Sequence, residues 1–459
     1  MLRAENLIGN IRAGTWKQAI IARLPGPLRA LLGDRLVRNV GWNGVAEFAN
    51  RLTRLITTVV LARWLSAQDL GLAAIAITTF EILRIIAQTG VGQAVGRADE
   101  AELAATCNTA HRVSWMICMA TLAVQLLIGA VIAWTTGRAS VFFMIACLAG
   151  VYLTLPFGQI QAHLIVRQNR LHVLAKIALV QVAADNLFTA LLAVAGFGPW
   201  AIVLPKLITA PIWVIGMRRA QEWKMDPAAG FAPWRPLVTF AGAIVGSDLV
   251  VASRLHFDKM IVGAMLGVEA LGIYYFIFNA GIGFSLSITL SLAASMYPHL
   301  AELATKPKEL LARYDQMLVR AVAPCSAVIA LQAVLALLYV PLVFGPKFAP
   351  YAYLVTILCA SAVTKPVYDS AAQLLRIFGL VRLELAIATA FTALSLTALA
   401  AGLTVSLPAG IIAMSVATIA VQVLFAIAVR RGLATKVNKH WVPAAAPAPD
   451  LNEPVGATP

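Results

Sequence analysis

Leu61-Ala62-Arg63-Trp64-Leu65-Ser66-Ala67-Gln68-Asp69-Leu70-Gly71 is echoed 201 residues later by Val262-Gly263-Ala264-Met265-Leu266-Gly267-Val268-Glu269-Ala270-Leu271-Gly272. Leu65, Leu70 and Gly71 recur as Leu266, Leu271 and Gly272. Each copy sits between two long apolar runs, which places it at a helix–turn–helix corner. Ser66-Ala-Gln-Asp69 reads as a capping box that starts the helix after the corner, an architectural more than a chemical role. The same corner at the same point of both halves indicates an internal repeat in parallel orientation, related by a pseudo-two-fold axis along the membrane normal.

Outward from these corners the chain is apolar almost throughout. Of 459 residues, 60% are hydrophobic and 12% charged, where soluble domains carry roughly 25% charged residues. A bilayer span needs about 20 mostly apolar residues. Breaks at charges, glycines and prolines divide the sequence into about twelve helices. They lie near 39–64, 70–95, 108–134, 141–165, 171–195, 198–217, 237–264, 270–297, 314–343, 350–375, 383–404 and 408–429. The expected fold is an all-α polytopic membrane protein with two six-helix lobes, at 38–218 and 237–431. A polar inter-lobe linker at 219–236 separates them. Residues 1–37 alternate apolar and basic positions, as an amphipathic helix on a membrane surface does. They lack the apolar core of a signal peptide. The tail, 432–459, is too poor in large apolar residues beyond Val442 to fold. Outer-membrane barrels show ~10-residue alternating segments instead and are excluded.

The formal net charge is +15. Most of the lysines and arginines fall on alternate connections, leaving Arg63, Arg138 and Lys347 on the other side. The positive-inside rule then puts both termini in the cytoplasm, so the charge reports topology and not nucleic acid. The five cysteines are scattered without CxxC spacing and read as small buried hydrophobes. No metal or cofactor is expected.

Nine cations fall inside the expected spans: Arg51, Arg54, Arg84, Lys176, Lys206, Arg254, Lys259, Arg320 and Lys365. Six acids accompany them: Glu47, Glu81, Asp185, Asp248, Asp258 and Asp369. A charge at the bilayer centre costs at least ~2.5–3.5 kcal/mol, so these side chains should face water or one another. Glu47, Arg51 and Arg54 form one helical stripe, with Arg51 ~18 Å from the helix start at ~1.5 Å per residue. Glu81 and Arg84 add charge on the second helix, and Arg254, Asp258 and Lys259 on the seventh. Guanidinium groups grip phosphate oxygens through forked hydrogen bonds. Arg51, Arg54, Arg84, Arg254, Lys259 and Lys365 are therefore the candidate substrate-binding residues. The competing reading is acid–base pairing between helices, and it is the stronger one for Lys365 and Asp369. Lys176 and Arg320 are expected to snorkel. Glu47, Glu81, Asp185 and Asp258 are candidates for ion coupling. Asp185 has no partner on its own helix and could equally pair with a cation from a neighbour.

No GxxxxGK[ST], HExxH or GxSxG occurs, which argues against an ATP-driven pump or a hydrolase. The outside loops are about ten residues or fewer by this segmentation, too short to carry a catalytic domain.

The corner Leu61–Gly71, followed by Thr89-Gly-Val-Gly-Gln-Ala-Val-Gly-Arg97, resembles the first two helices of Wzx-like polysaccharide transporters. These belong to the multidrug/oligosaccharidyl-lipid/polysaccharide exporter superfamily. Ala62, Arg63, Leu65, Ser66 and Gly71 fit its A-R-x-L-[SG]-P-[ED]-x-[FY]-G pattern, while Ala67 and Leu70 replace the proline and the aromatic. The resemblance implies two lobes around a V-shaped central cavity. It also implies alternating-access flipping of an undecaprenyl-diphosphate-linked oligosaccharide across the bacterial inner membrane for lipopolysaccharide or exopolysaccharide synthesis. Implied partners are the lipid-linked substrate, membrane lipid, and the glycosyltransferases and glycan polymerase of the pathway. The rival readings are an ion-coupled multidrug exporter of the same superfamily and, further off, a membrane-embedded glycan transferase or polymerase.

Overall fold

The computed structural model describes residues 53–88, 92, 95, 96, 98–283, 285, 289, 292, 296 and 299–439. Within 236–255 the described side chains are those of Val238, Val245 and Leu249, and the side chains of 381 and 436–439 are also outside the description. The amphipathic segment expected at 1–37 and most of the C-terminal tail lie outside the described residues, as do Glu47 and Arg51.

All described secondary structure is helical. Helix α1 runs through residues 53–64. It is followed by α2 (Ala67–Gln88), α3 (Leu103–Thr136), α4 (Ala139–Thr154), α5 (Pro156–Arg167), α6 (Leu171–Val194) and α7 (Trp200–Ala220). After the linker come α8 (Trp234–Ala280), α9 (Pro307–Phe344), α10 (Ala352–Val363), α11 (Lys365–Ile377), α12 (Val381–Leu403) and α13 (Leu407–Lys439).

Eight described helices are long and apolar enough to cross a bilayer, or nine if α4 and α5 count as one bent span. The sequence expectation is about twelve; the first and eighth expected spans lie partly outside the described residues, and proline bends or divides two others. Proline lacks an N–H and clashes with the preceding turn. At Pro156 the expected fourth span bends by 54°. At Pro366 the expected tenth span divides into α10 and α11, each too short alone. Pro324 follows a π-turn at Leu318–Val322 inside α9. The expected seventh span and the start of the eighth form the two arms of α8, which break at Gly267 with φ +83°. That left-handed backbone is one glycine accepts without a Cβ penalty. The break lies 201 residues after Ser66, at the matching point of the other corner. The expected first span is described only from residue 53.

The capping box forms as the sequence suggests. The Asp69 carboxylate accepts from the Ser66 hydroxyl at 2.6 Å and from its N–H at 3.0 Å, and the Ser66 hydroxyl accepts from the Asp69 N–H at 3.0 Å. Two cations fasten this corner to the end of α9. Arg63 donates through Nε to the Val343 carbonyl at 3.1 Å, and the Lys347 ammonium donates to the Leu65 carbonyl. Burial lowers the Lys347 pKa from its ordinary value, with Asp69 opposing the shift.

The two corners pack on each other reciprocally. A Cβ on Gly71 would lie 1.9 Å from the Val268 carbonyl oxygen, and one on Gly272 would lie 1.7 Å from that of Ala67. Residue 268 corresponds to 67 and 272 to 71 by the same offset of 201. Only glycine permits so close a crossing of α2 over the second arm of α8, the device by which small residues let membrane helices approach. Around the crossing, Ala62, Leu65, Leu70, Val262, Leu271 and Ile277 join one apolar core. Phe276 stacks on Phe348 at 3.9 Å and meets Phe344 edge-on at 5.1 Å.

Two further cores each belong to one half. One joins α2, α3, α4 and α7 around Phe80, Met144, Leu148 and Tyr152. The other joins α9, α11, α12 and α13 around Tyr314, Tyr368, Phe391 and Phe425. Outward-facing Trp134, Leu342 and Val405 are each at least 80% exposed, as side chains against lipid tails would be.

Candidate functional site

Beside the corner, whose Leu61, Ala62 and Leu70 reach its wall, lies a hollow of about 490 Å³, within the ~300–1,000 Å³ typical of ligand cavities. Its wall comes from both halves: α1, α2, α6 and α7 on one side, and both arms of α8 on the other. Charged residues reach it from five of these segments. Arg54, Arg84, Lys206 and Lys259 are the cations, and Glu81 and Asp185 the anions.

Three of the cations are held by carboxylates. Arg84 donates to Glu81 at 2.6 Å, one helical turn away on α2. Lys206 on α7 donates to Asp185 on α6 at 2.6 Å. Lys259 lies 3.1 Å from the Asp258 carboxylate and 3.6 Å above the Phe278 ring. Asp258 accepts a further hydrogen bond from the Tyr274 hydroxyl at 2.7 Å. Lys259 and Asp258 are both about 95% buried, so their pairing offsets a large desolvation cost.

Arg54 differs. Its guanidinium donates to the Asn279 side-chain oxygen at 3.1 Å, across the gap between the halves. Asn279 in turn donates to the Tyr275 carbonyl at 2.8 Å, which orients the amide. Among the described residues, no carboxylate pairs with Arg54. A neutral amide carries no opposing charge, so among the described residues the cations of the hollow outnumber the carboxylates. Arg54 is positioned from behind by a polar seam between α1 and α6. Thr57 donates to the Asn186 carbonyl at 3.1 Å, and the Asn186 amide donates to the Thr53 hydroxyl at 3.1 Å.

Of the candidate binding residues, the structure brings Arg54, Arg84 and Lys259 to the hollow. Lys365 lies elsewhere. It lines a separate pocket of about 130 Å³ in the second half, with its ammonium held by Asp369 at 2.7 and 2.9 Å. Arg51 and Glu47, and the side chains of Arg254 and Asp248, are outside the described residues. Among the ion-coupling candidates, Glu81 and Asp185 face the hollow and Asp258 faces the smaller pocket. Asp185 takes the neighbouring-helix pairing that the sequence left open. Its second oxygen, Oδ1, is buried with no hydrogen-bond partner.

His256, Tyr275 and Asn279 were not singled out from the sequence, and Lys206 was counted as an intramembrane charge without a role. Lys206 carried a usable signal. Asp185 lies nine residues before the end of α6 and Lys206 six residues after the start of α7, so an antiparallel hairpin places them at similar depth.

Residues 60–353 match the family described as polysaccharide biosynthesis protein. The succinoglycan biosynthesis transport protein ExoT of Rhizobium meliloti (strain 1021) is 23% identical over 251 residues, covering 52% of this chain and 48% of that protein. The chain thus spans about half the length of this curated relative. Among solved structures, a multidrug resistance MATE family transporter of the MOP superfamily in its inward-facing conformation superposes with TM-score 0.66. It is 12% identical, and the match covers 85% of this chain and 96% of the other. The lipid II flippase MurJ in an inward closed conformation gives TM-score 0.65 at 12% identity, covering 86% and 90%. The fold is that of these transporters, and the apolar helices belong to an integral membrane protein.

Proposed function

Because the chain belongs to the family of polysaccharide biosynthesis proteins, we propose that it is a flippase for lipid-linked oligosaccharide. The cargo is an undecaprenyl-diphosphate-linked repeat unit, and the path runs from the cytoplasmic to the periplasmic leaflet of the bacterial inner membrane. The carrying observation is Arg54, a cation without a carboxylate partner among the described residues, set where the two halves meet. An unpaired guanidinium at this depth is costly in lipid and is offset by an anionic cargo. A diphosphate supplies about two negative charges and the oxygen pairs that a guanidinium fork fits.

In this reading twelve spans form two lobes around a pseudo-two-fold axis, with both termini cytoplasmic. The reciprocal Gly71–Val268 and Gly272–Ala67 contacts support the axis, and the basic connections support the topology. The glycine crossing closes the hollow on the periplasmic side. Arg54 holds the diphosphate, with Arg51, Arg84 and Arg254 as further donors. The sugar fills the aqueous hollow, and the lipid tail stays in the bilayer. Separation of the corners on one side and approach of the helices on the other then delivers the head group outward. Asp185 is the proposed coupling group. A coupling ion bound at its unpartnered Oδ1 would release Lys206 into the hollow.

A multidrug exporter handling cationic compounds would require the opposite sign of charge in the hollow. Surface glycan in a strain dependent on this protein tests the reading. Arg54→Ala should abolish it and Arg54→Lys should keep part of it, with both variants inserted at normal level. Undiminished glycan from the alanine variant would refute the role of Arg54.

A further inference from the structure

The linker between α7 and α8 does not run free; it folds back on the Leu103 end of α3. The Asn108 amide donates to the Asp226 carbonyl at 2.7 Å and the Gly230 carbonyl at 2.9 Å, and its oxygen accepts from the Asp226 N–H at 3.3 Å. Thr109 donates to the Ala232 carbonyl at 2.9 Å. Asp226 also caps a short turn by accepting from the Ala228 N–H at 3.0 Å. The strap so formed walls a groove of about 720 Å³ against α3, separate from the central hollow.

The groove is lined unlike a packed core. Met116, Met225, Phe231 and Trp234 are 39–59% exposed, although all are large and apolar. Met116 stands on α3, and Met225, Phe231 and Trp234 stand on the strap and the start of α8 beside it. Beside them the Arg112 guanidinium sits 3.7 Å over the Phe231 ring, with no carboxylate or carbonyl accepting from it among the described residues. His111 contributes a second unused donor. Its Nε2 accepts from the Trp115 indole N–H at 3.2 Å, so the neutral ring carries its proton on Nδ1, which is buried without a partner. Lys224 and Arg235 of the strap are matched in number by Glu222 and Asp226, so Arg112 is the cation that lines the groove.

A soluble anion would use Arg112 but not the apolar wall, and an uncharged hydrophobe would use the wall but not Arg112. We propose that this groove binds an anionic phospholipid of the adjacent leaflet. Arg112 holds the headgroup phosphate, and the Met116, Met225, Phe231 and Trp234 side chains pack one acyl chain. Basic pockets at the inner face of membrane helices suit such headgroups. The bound lipid braces the strap that joins the two halves, and this role is independent of what the central hollow carries.

Native mass spectrometry of the purified full-length chain, titrated with phosphatidylglycerol or phosphatidylcholine, tests the site. Phosphatidylglycerol should be retained preferentially, and Arg112→Gln should weaken its retention roughly tenfold while the unfolding temperature is unchanged. Equal retention of the two lipids, unchanged retention in Arg112→Gln, or displacement by millimolar inorganic phosphate would overturn the proposal. Should Arg112→Gln fail to fold, a photoactivatable phosphatidylglycerol on the wild-type chain decides. Cross-links to Met116 or the 221–235 peptide support the site, and cross-links confined to other helices refute it.

Discussion

Replacing Gly272 by alanine puts the first strain on the crossing of α2 and the second arm of α8. The new Cβ would lie 1.7 Å from the Ala67 carbonyl oxygen and 2.8 Å from the Gly71 nitrogen, where ordinary contact begins at 3.4 Å. These are backbone atoms of a helix start, so no side chain can rotate away. The two helices must part by about the difference, ~1.7 Å, which also strips contact from the apolar core beneath. Overpacking of this kind costs typically ~1–3 kcal/mol. Gly71→Ala meets the Val268 carbonyl at 1.9 Å and should cost a similar amount. Because one separation relieves both clashes, the double variant should cost clearly less than the two single costs added together. Thermal unfolding in detergent reads the cost, and disulfide trapping of cysteines placed at 67 and 268 reads the separation. Unchanged unfolding temperature and unchanged trapping in Gly272→Ala would show that the corners do not touch as described. Full additivity would show that the two glycines belong to different contacts.

Other variants probe the polar groups of the two halves. Lys206→Met should lower stability by ~3 kcal/mol, since it leaves Asp185 unpaired in a site where its Oδ1 is already without a partner. Adding Asp185→Asn should restore most of that loss, and urea unfolding of both variants measures the recovery. Tyr274→Phe removes the hydroxyl that donates to Asp258 at 2.7 Å in a buried site and should cost ~1.5–3 kcal/mol by the same assay. Asn108→Ala should leave the unfolding temperature nearly unchanged but speed proteolytic cleavage within 221–233, because the strap loses its amide clasp.

What the sequence disclosed follows from which forces act locally. The corners at 61–71 and 262–272 were legible because a capping box and a close helix crossing each need particular residues at fixed spacing. Charge segregation was legible because each buried cation is costly whatever its neighbours. Span boundaries were less so. Apolar runs look continuous across Pro156 and Pro366, while the backbone bends or breaks near each of them. The membership of the site was least legible, since it depends on which helices become neighbours. Lys365 has the same i, i+4 acid partner spacing that suggested a stripe on the first expected span, yet its helix carries it to a different pocket. Asn279 is an ordinary amide in sequence and becomes the partner of Arg54 only through the packing of α1 against α8.

The proposed hold of Arg54 on a diphosphate is tested most directly by equilibrium binding of a polyprenyl diphosphate to the purified chain and to Arg54→Ala. The wild type should bind the diphosphate more tightly than the corresponding monophosphate, and the variant should lose roughly tenfold or more in affinity for the diphosphate. Equal affinity of the two proteins for that ligand would contradict the account.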